Sequence, residues 1–155
     1  MAQDGNTAPD IKLPGQSGKI VQLSKLKGQS VVVYFYPKDD TSGCTVEAKD
    51  FTCLAIDFKK AGATVIGISP DSAASHQKFI AKHDLALQLL ADEDKKAAAA
   101  YGVWVEKSMY GKTYMGVERS TFLIDKAGKI AKSWRKVKVP GHADEVLAAV
   151  KALSK

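Results

Sequence analysis

The stretch Val31 to Phe51, "VVVYFYPKDDTSGCTVEAKDF", governs how the rest of the chain is read. Its first six residues are β-branched or aromatic without a polar break, the pattern of a central strand buried on both faces. The run stops at Pro37, which has no N–H to give to a strand ladder, and a polar loop follows through Lys38, Asp39 and Asp40. From Thr45 to Lys60 the spacing becomes helical, with Glu47, Phe51, Leu54, Ala55 and Phe58 on one stripe and Gly62 closing it. A single thiol, Cys44, stands where the loop meets the helix.

The same alternation continues outward. "KIVQL" before this stretch reads as a strand, and "ATVIGIS" after it as a second buried strand. "SPDSAASHQKFIAKH" opens with capping residues and continues as a helix. "LALQLLAD" reads as a strand and "DEDKKAAAAYG" as an alanine-rich helix stopped by Gly102. "KSMYGKTYMG" reads as a loop or hairpin able to border a site. "STFLID", a "KAG" turn and "KIAKSWRKV" form a β-hairpin, and "HADEVLAAVKALSK" a terminal helix. Strands alternating with helices, then an antiparallel hairpin, predict an α/β domain spanning 1–155 with a mixed central sheet flanked by helices.

At 155 residues the chain is long enough to bury a core without a disulfide or metal. The composition, 45% hydrophobic and 26% charged with 12 Gly and 5 Pro scattered, excludes disordered and low-complexity classes. The N-terminal residues carry no secretory pattern, and no apolar run reaches the roughly 20 residues of a membrane span. With two cysteines, the expected compartment is the reducing cytoplasm. A net charge of +6 permits attraction to acidic surfaces. The densest basic patch holds Lys126, Lys129, Lys132, Arg135, Lys136 and Lys138 beside Trp134. No nucleic-acid motif accompanies it, and interleaved Ile130, Val137 and Val139 make it one solvated face of a hairpin, so no specific nucleic-acid partner is expected.

The chemistry centres on Cys44. A thiol is a nucleophile only as the thiolate, and a helix N-terminus or a neighbouring guanidinium favours that form. Gly43 allows close backbone approach, and Cys44 lies in the first turn, where unpaired N–H groups and the positive end of the helix dipole converge. Thr41, three residues earlier, brings a hydroxyl that can donate and accept. Pro37 can shield the site without adding a competing donor.

"PKDDTSGC" matches the Pro-x-x-x-Thr-x-x-Cys pattern of peroxiredoxins, with Pro37, Thr41 and Cys44 at the three fixed places. "YFYPKDDTSGCTVEA" and "ERSTFLID" resemble the bacterioferritin comigratory protein branch, also called peroxiredoxin Q, and the similarity runs from "APDIKLP" to the final helix. The resemblance implies a thioredoxin-like fold and reduction of hydrogen peroxide or organic hydroperoxides through a cysteine sulfenic acid, without a cofactor. It assigns the fourth active-site residue to Arg119, which could donate to the thiolate and to a peroxide oxygen together. Glu47, one turn beyond Cys44, has two readings: it holds Arg119, or it is a solvated helix glutamate. The branch is often monomeric, so a monomer is expected, with thioredoxin or another thiol as reductant.

The chain departs from the branch in the partner thiol. Where many members carry a resolving cysteine five residues after the first, this sequence has Lys49, and the helix containing "SAASHQKFIAKH" has none. Cys53 is the only other cysteine. On a continuous helix it lies about 180° around and roughly 13 Å along from Cys44, whereas a disulfide needs Cα atoms about 4.4–6.8 Å apart. Two routes stand: an external thiol resolves Cys44, or the helix unwinds to form a Cys44–Cys53 bridge. His76, His83 and His142 share no ligand spacing, so no metal is expected. Tyr101 and Trp104 could wall the pocket or pack in the core. A thiol-disulfide oxidoreductase and a non-enzymatic redox-sensing module are the competing functions; the missing CxxC argues against the first, and the second requires an unactivated Cys44.

Overall fold

The computed structural model describes residues 3–153. Strands β1 (Lys12–Pro14) and β2 (Ile20–Gln22) form a short hairpin, and a 3-10 turn (Leu23–Leu26) leads into β3 (Ser30–Phe35). Helices α1 (Ser42–Cys53) and α2 (Ala55–Lys60) precede β4 (Ala63–Ser69), and α3 (Ala73–His83), β5 (Gln88–Ala91) and α4 (Lys96–Ala100) follow. A second hairpin, β6 (Trp104–Met109) with β7 (Lys112–Val117), precedes β8 (Ser120–Ile124), β9 (Ile130–Trp134) and α5 (His142–Leu153). Ser154 and Lys155 of the predicted terminal helix lie outside the described residues.

The main sheet runs β5-β4-β3-β8-β9, parallel across β5, β4 and β3 and antiparallel across β3, β8 and β9. β3 is central and every residue of it is buried. Because side chains alternate along a strand, Val32, Tyr34 and Tyr36 join one core with Cys44, Phe51, Phe58, Phe79 and Val146. Val31, Val33 and Phe35 join the other, with Ile68, Tyr101 and Phe122. The continuous apolar run in the sequence is therefore two period-2 patterns, one for each face.

Three elements differ from the sequence reading. The predicted Thr45–Lys60 helix is two helices broken at Leu54, which lets α1 pack on α5 while α2 settles on β4. The alanine-rich helix has only five residues and begins at Lys96, after Lys95 at φ 59°; the Asp92 carboxylate accepts from its first-turn N–H groups at Ala97 and Ala98. In "KIVQL" the strand ends at Gln22 and gives way to the 3-10 turn. The "KSMYGKTYMG" segment is a hairpin whose two-residue turn, Tyr110 and Gly111, has positive φ at both positions, matching the twist of its strands.

Candidate active site

Cys44 sits in the first turn of α1 and is 1% exposed. Thr41 is the N-cap residue, extended at φ −86° and ψ 157°, and its carbonyl accepts the first helical bond, from Thr45. Its hydroxyl does not cap the helix. Thr41 Oγ1 donates to the carbonyl of Lys38 at 3.0 Å, closing the loop, so the hydroxyl presents its oxygen as an acceptor. Pro37 is half-buried just beyond β3, where Tyr36 makes the last ladder contact by donating to Ile68.

Arg119 arrives from the residue before β8, whose pairing with β3 brings Ser120 opposite Phe35 at the strand end leading to the Cys44 loop. Nη2 donates to Cys44 Sγ at 3.3 Å, and Nη1 donates to Glu47 Oε1 at 2.6 Å. Gly43 makes this approach possible: a Cβ there would stand 3.2 Å from Nη2. Burial works against the guanidinium charge, but Glu47 and Cys44 more than offset it and hold Arg119 above its ordinary range. Glu47 is 2% exposed, which settles its two readings in favour of the Arg119 contact. Burial raises its carboxyl to about 7 although Arg119 opposes the shift. Its second oxygen, Oε2, has no hydrogen-bond partner among the described residues.

The β6–β7 hairpin borders this centre. Lys107 is lowered by burial and by the Arg119 charge, with Cys44 and Glu118 opposing. Tyr101 and Trp104 do not line it. Tyr101 belongs to the opposite core, packed on Phe35 and Phe122 with its hydroxyl on the Pro9 carbonyl, and half-buried Trp104 packs against that same core. Trp134 is engaged as well: its indole N–H donates to Glu145, and its ring meets His142 edge-on. A cleft of about 270 Å³ lined by Leu23, Leu26, Val31 and Ile124 opens at the far end of β3, away from the chemistry.

Sequence reasoning missed a buried polar cluster behind the loop. Asp39 accepts from Tyr36 and Ser75, its Oδ2 lies 2.7 Å from His76 Nδ1, and its N–H donates to Asp71. The available signal was local: Tyr36 and Asp39 are three residues apart, and Ser72 caps α3 so that His76 turns inward. Cys53, the last residue of α1, is exposed at the end of the helix opposite Cys44.

Residues 5–133 match the model of the AhpC/TSA family. Peroxiredoxin Bcp of Bacillus subtilis is 51% identical over 150 residues, covering 97% of this chain and 96% of its own. The chain belongs to the AhpC/TSA family, among the peroxiredoxins. Peroxiredoxin Bcp of Escherichia coli K12 is 46% identical, with 92% of each chain covered. The structure of Xanthomonas campestris peroxiredoxin Q superposes with a TM-score of 0.90 at 48% identity, over 94% of this chain and 92% of that one. A structure concerned with alkyl peroxide reduction by the bacterioferritin comigratory protein of the same organism gives a TM-score of 0.92 at 45% identity, over 99% and 100%. The fold is thioredoxin-like, and this peroxiredoxin is a thiol-dependent peroxidase that takes hydroperoxide substrates and a thiol reductant. Among the described residues no helix is long and apolar enough to cross a membrane.

Proposed function

We propose that Cys44 is the peroxidatic nucleophile of one thioredoxin-like domain acting as a cytoplasmic monomer. The observation that carries this is the Arg119 fork, with one nitrogen on Sγ and the other anchored on buried Glu47. The thiolate attacks the nearer peroxide oxygen in line. The S–O bond forms as the O–O bond breaks, sulfur is oxidised to sulfenic acid, and the departing alkoxide or hydroxide takes up a proton. Arg119 stabilises negative charge as it passes from sulfur to the leaving oxygen. Thr41, whose own proton is engaged on Lys38, accepts the hydrogen bond of the incoming hydroperoxide O–H. Pro37 shields the loop side.

An external thiol, such as one of thioredoxin, attacks the sulfenic sulfur, releasing water and leaving a mixed disulfide. A second thiol then attacks the external sulfur, forming a disulfide with it and releasing Cys44 reduced. The positions of the two cysteines at opposite ends of one intact helix support this over a Cys44–Cys53 bridge. Arg119→Ala tests the assignment. The second-order rate with hydrogen peroxide should fall about 100-fold or more with the fold intact; an unchanged rate would remove Arg119 from the mechanism.

A further inference from the structure

The loop carrying Thr41 is held by groups that touch neither the sulfur nor Arg119. Asp39 Oδ1 accepts from Tyr36 Oη at 2.5 Å, and Oδ2 lies 2.8 Å from Ser75 Oγ and 2.7 Å from His76 Nδ1. The other ring nitrogen of His76 is 2.8 Å from the Leu90 carbonyl. A carbonyl only accepts, so Nε2 carries a proton, and Nδ1 is turned to the Asp39 carboxyl. His76 is 0% exposed and Asp39 8% exposed, making this a buried contact. The Asp39 N–H is bound in turn by Asp71 Oδ2 at 2.8 Å, which also receives Ser69 Oγ at 2.7 Å.

Asp40, the next residue, adopts φ 61°, an uncommon conformation for a residue with a Cβ. Its carboxylate reaches Lys82 at 2.6 Å and His83 at 2.8 Å, both on α3. Asp39 and Asp40 thus tie the loop to one helix, immediately before Thr41 and the first turn of α1. Short loops at strand ends are mobile unless anchored, and peroxide attack requires the acceptor on Thr41, the sulfur and the guanidinium to be aligned together.

We infer that Asp39 and His76 are positioning residues for peroxide reduction: their buried contact fixes the Pro37–Thr41 loop, and with it the hydroxyl of Thr41 and the first turn holding Cys44. The inference rests on the peroxidase assignment of Cys44.

The test compares two reactions of the same thiolate. Hydrogen peroxide needs the aligned site, whereas iodoacetamide needs only an accessible thiolate. Single-turnover rates with each are measured in a Cys53→Ser background, so that Cys44 is the thiol followed, for the parent, Asp39→Asn, His76→Phe, the double variant and the milder Ser75→Ala. The peroxide rate should fall about 30- to 100-fold in Asp39→Asn, His76→Phe and the double variant, since displacement by about 1 Å can cost that much. Alkylation should stay within about threefold, and the double variant should lose no more than the worse single one, because both act through one contact. Ser75→Ala leaves the buried pair in place and should lose about three- to fivefold by loosening it; it keeps the test decisive if the larger changes prevent folding. A peroxide rate unchanged in folded variants, or an equal fall in both reactions, overturns the inference. A parent no faster with peroxide than free cysteine would instead fail the peroxidase assignment itself.

Discussion

Replacing Glu47 by glutamine should make this protein more stable at pH 8 and less active. The carboxyl is buried, one oxygen accepts from Arg119 and the other has no partner. Burial lifts it from the ordinary 4.5 to about 7. The native state therefore keeps a proton that the unfolded chain releases, and this contribution to stability is complete below pH 4.5 and lost as pH rises through about 7. The loss corresponds to about 3 kcal/mol at most. Glutamine has the shape and neutrality of the protonated carboxyl, so the variant is spared it. Urea unfolding of the reduced proteins at pH 5, 6, 7 and 8 should show curves that nearly coincide at pH 5 and separate progressively, the variant being more stable by about 1–3 kcal/mol at pH 8. All other titrating groups are common to both proteins, so the separation reports this site. In the same samples the peroxide rate at pH 8 should fall about tenfold, because a neutral amide holds Arg119 less firmly than a carboxylate. Parallel stability curves, or a variant less stable at pH 8, would refute the reasoning.

Gly43→Ala places a Cβ 3.2 Å from Arg119 Nη2, so the guanidinium must shift by a few tenths of an ångström beside the sulfur; the peroxide rate measured by stopped flow should drop about three- to tenfold with little change in melting temperature. Cys53→Ser should leave the single-turnover rate within about twofold, since Cys53 lies at the opposite end of α1. Non-reduced intact mass after one equivalent of peroxide should show added oxygen in both proteins; a loss of two hydrogens in the natural chain alone would establish a Cys44–Cys53 bridge.

The legible parts of this protein were those written in local patterns. Six unbroken apolar residues from Val31 to Tyr36 identified the strand at the centre of the sheet, and the match of Pro37, Thr41 and Cys44 to the peroxiredoxin pattern implied the reaction. Glu47 could be suspected from the helical period, one turn from Cys44, but choosing between its readings required Arg119, 72 residues away. The Asp39 and His76 contact spans 37 residues and joins a loop to a helix, and neither residue type has a periodic signature when buried. The break at Leu54 has no signature in the sequence, because the apolar stripe continues across it; both helices meet α5, and α2 alone also settles on β4. For the alanine-rich segment, composition did not mark where the helix begins: Lys95 is at positive φ, and Asp92 accepts from the first-turn N–H groups of Ala97 and Ala98.

The most direct measurement is the single-turnover reaction of the reduced protein with hydrogen peroxide, followed beside free cysteine at the same pH, for the natural chain, Cys53→Ser and Cys44→Ser. The site described here predicts thiol oxidation at least about 1,000-fold faster than free cysteine in the first two proteins, a factor within reach of charge stabilisation by Arg119 and the helix N–H groups. Cys44→Ser should retain only the slow rate of an ordinary exposed thiol. A natural chain that reacts no faster than free cysteine, or a Cys44→Ser variant that keeps the fast phase, would contradict it.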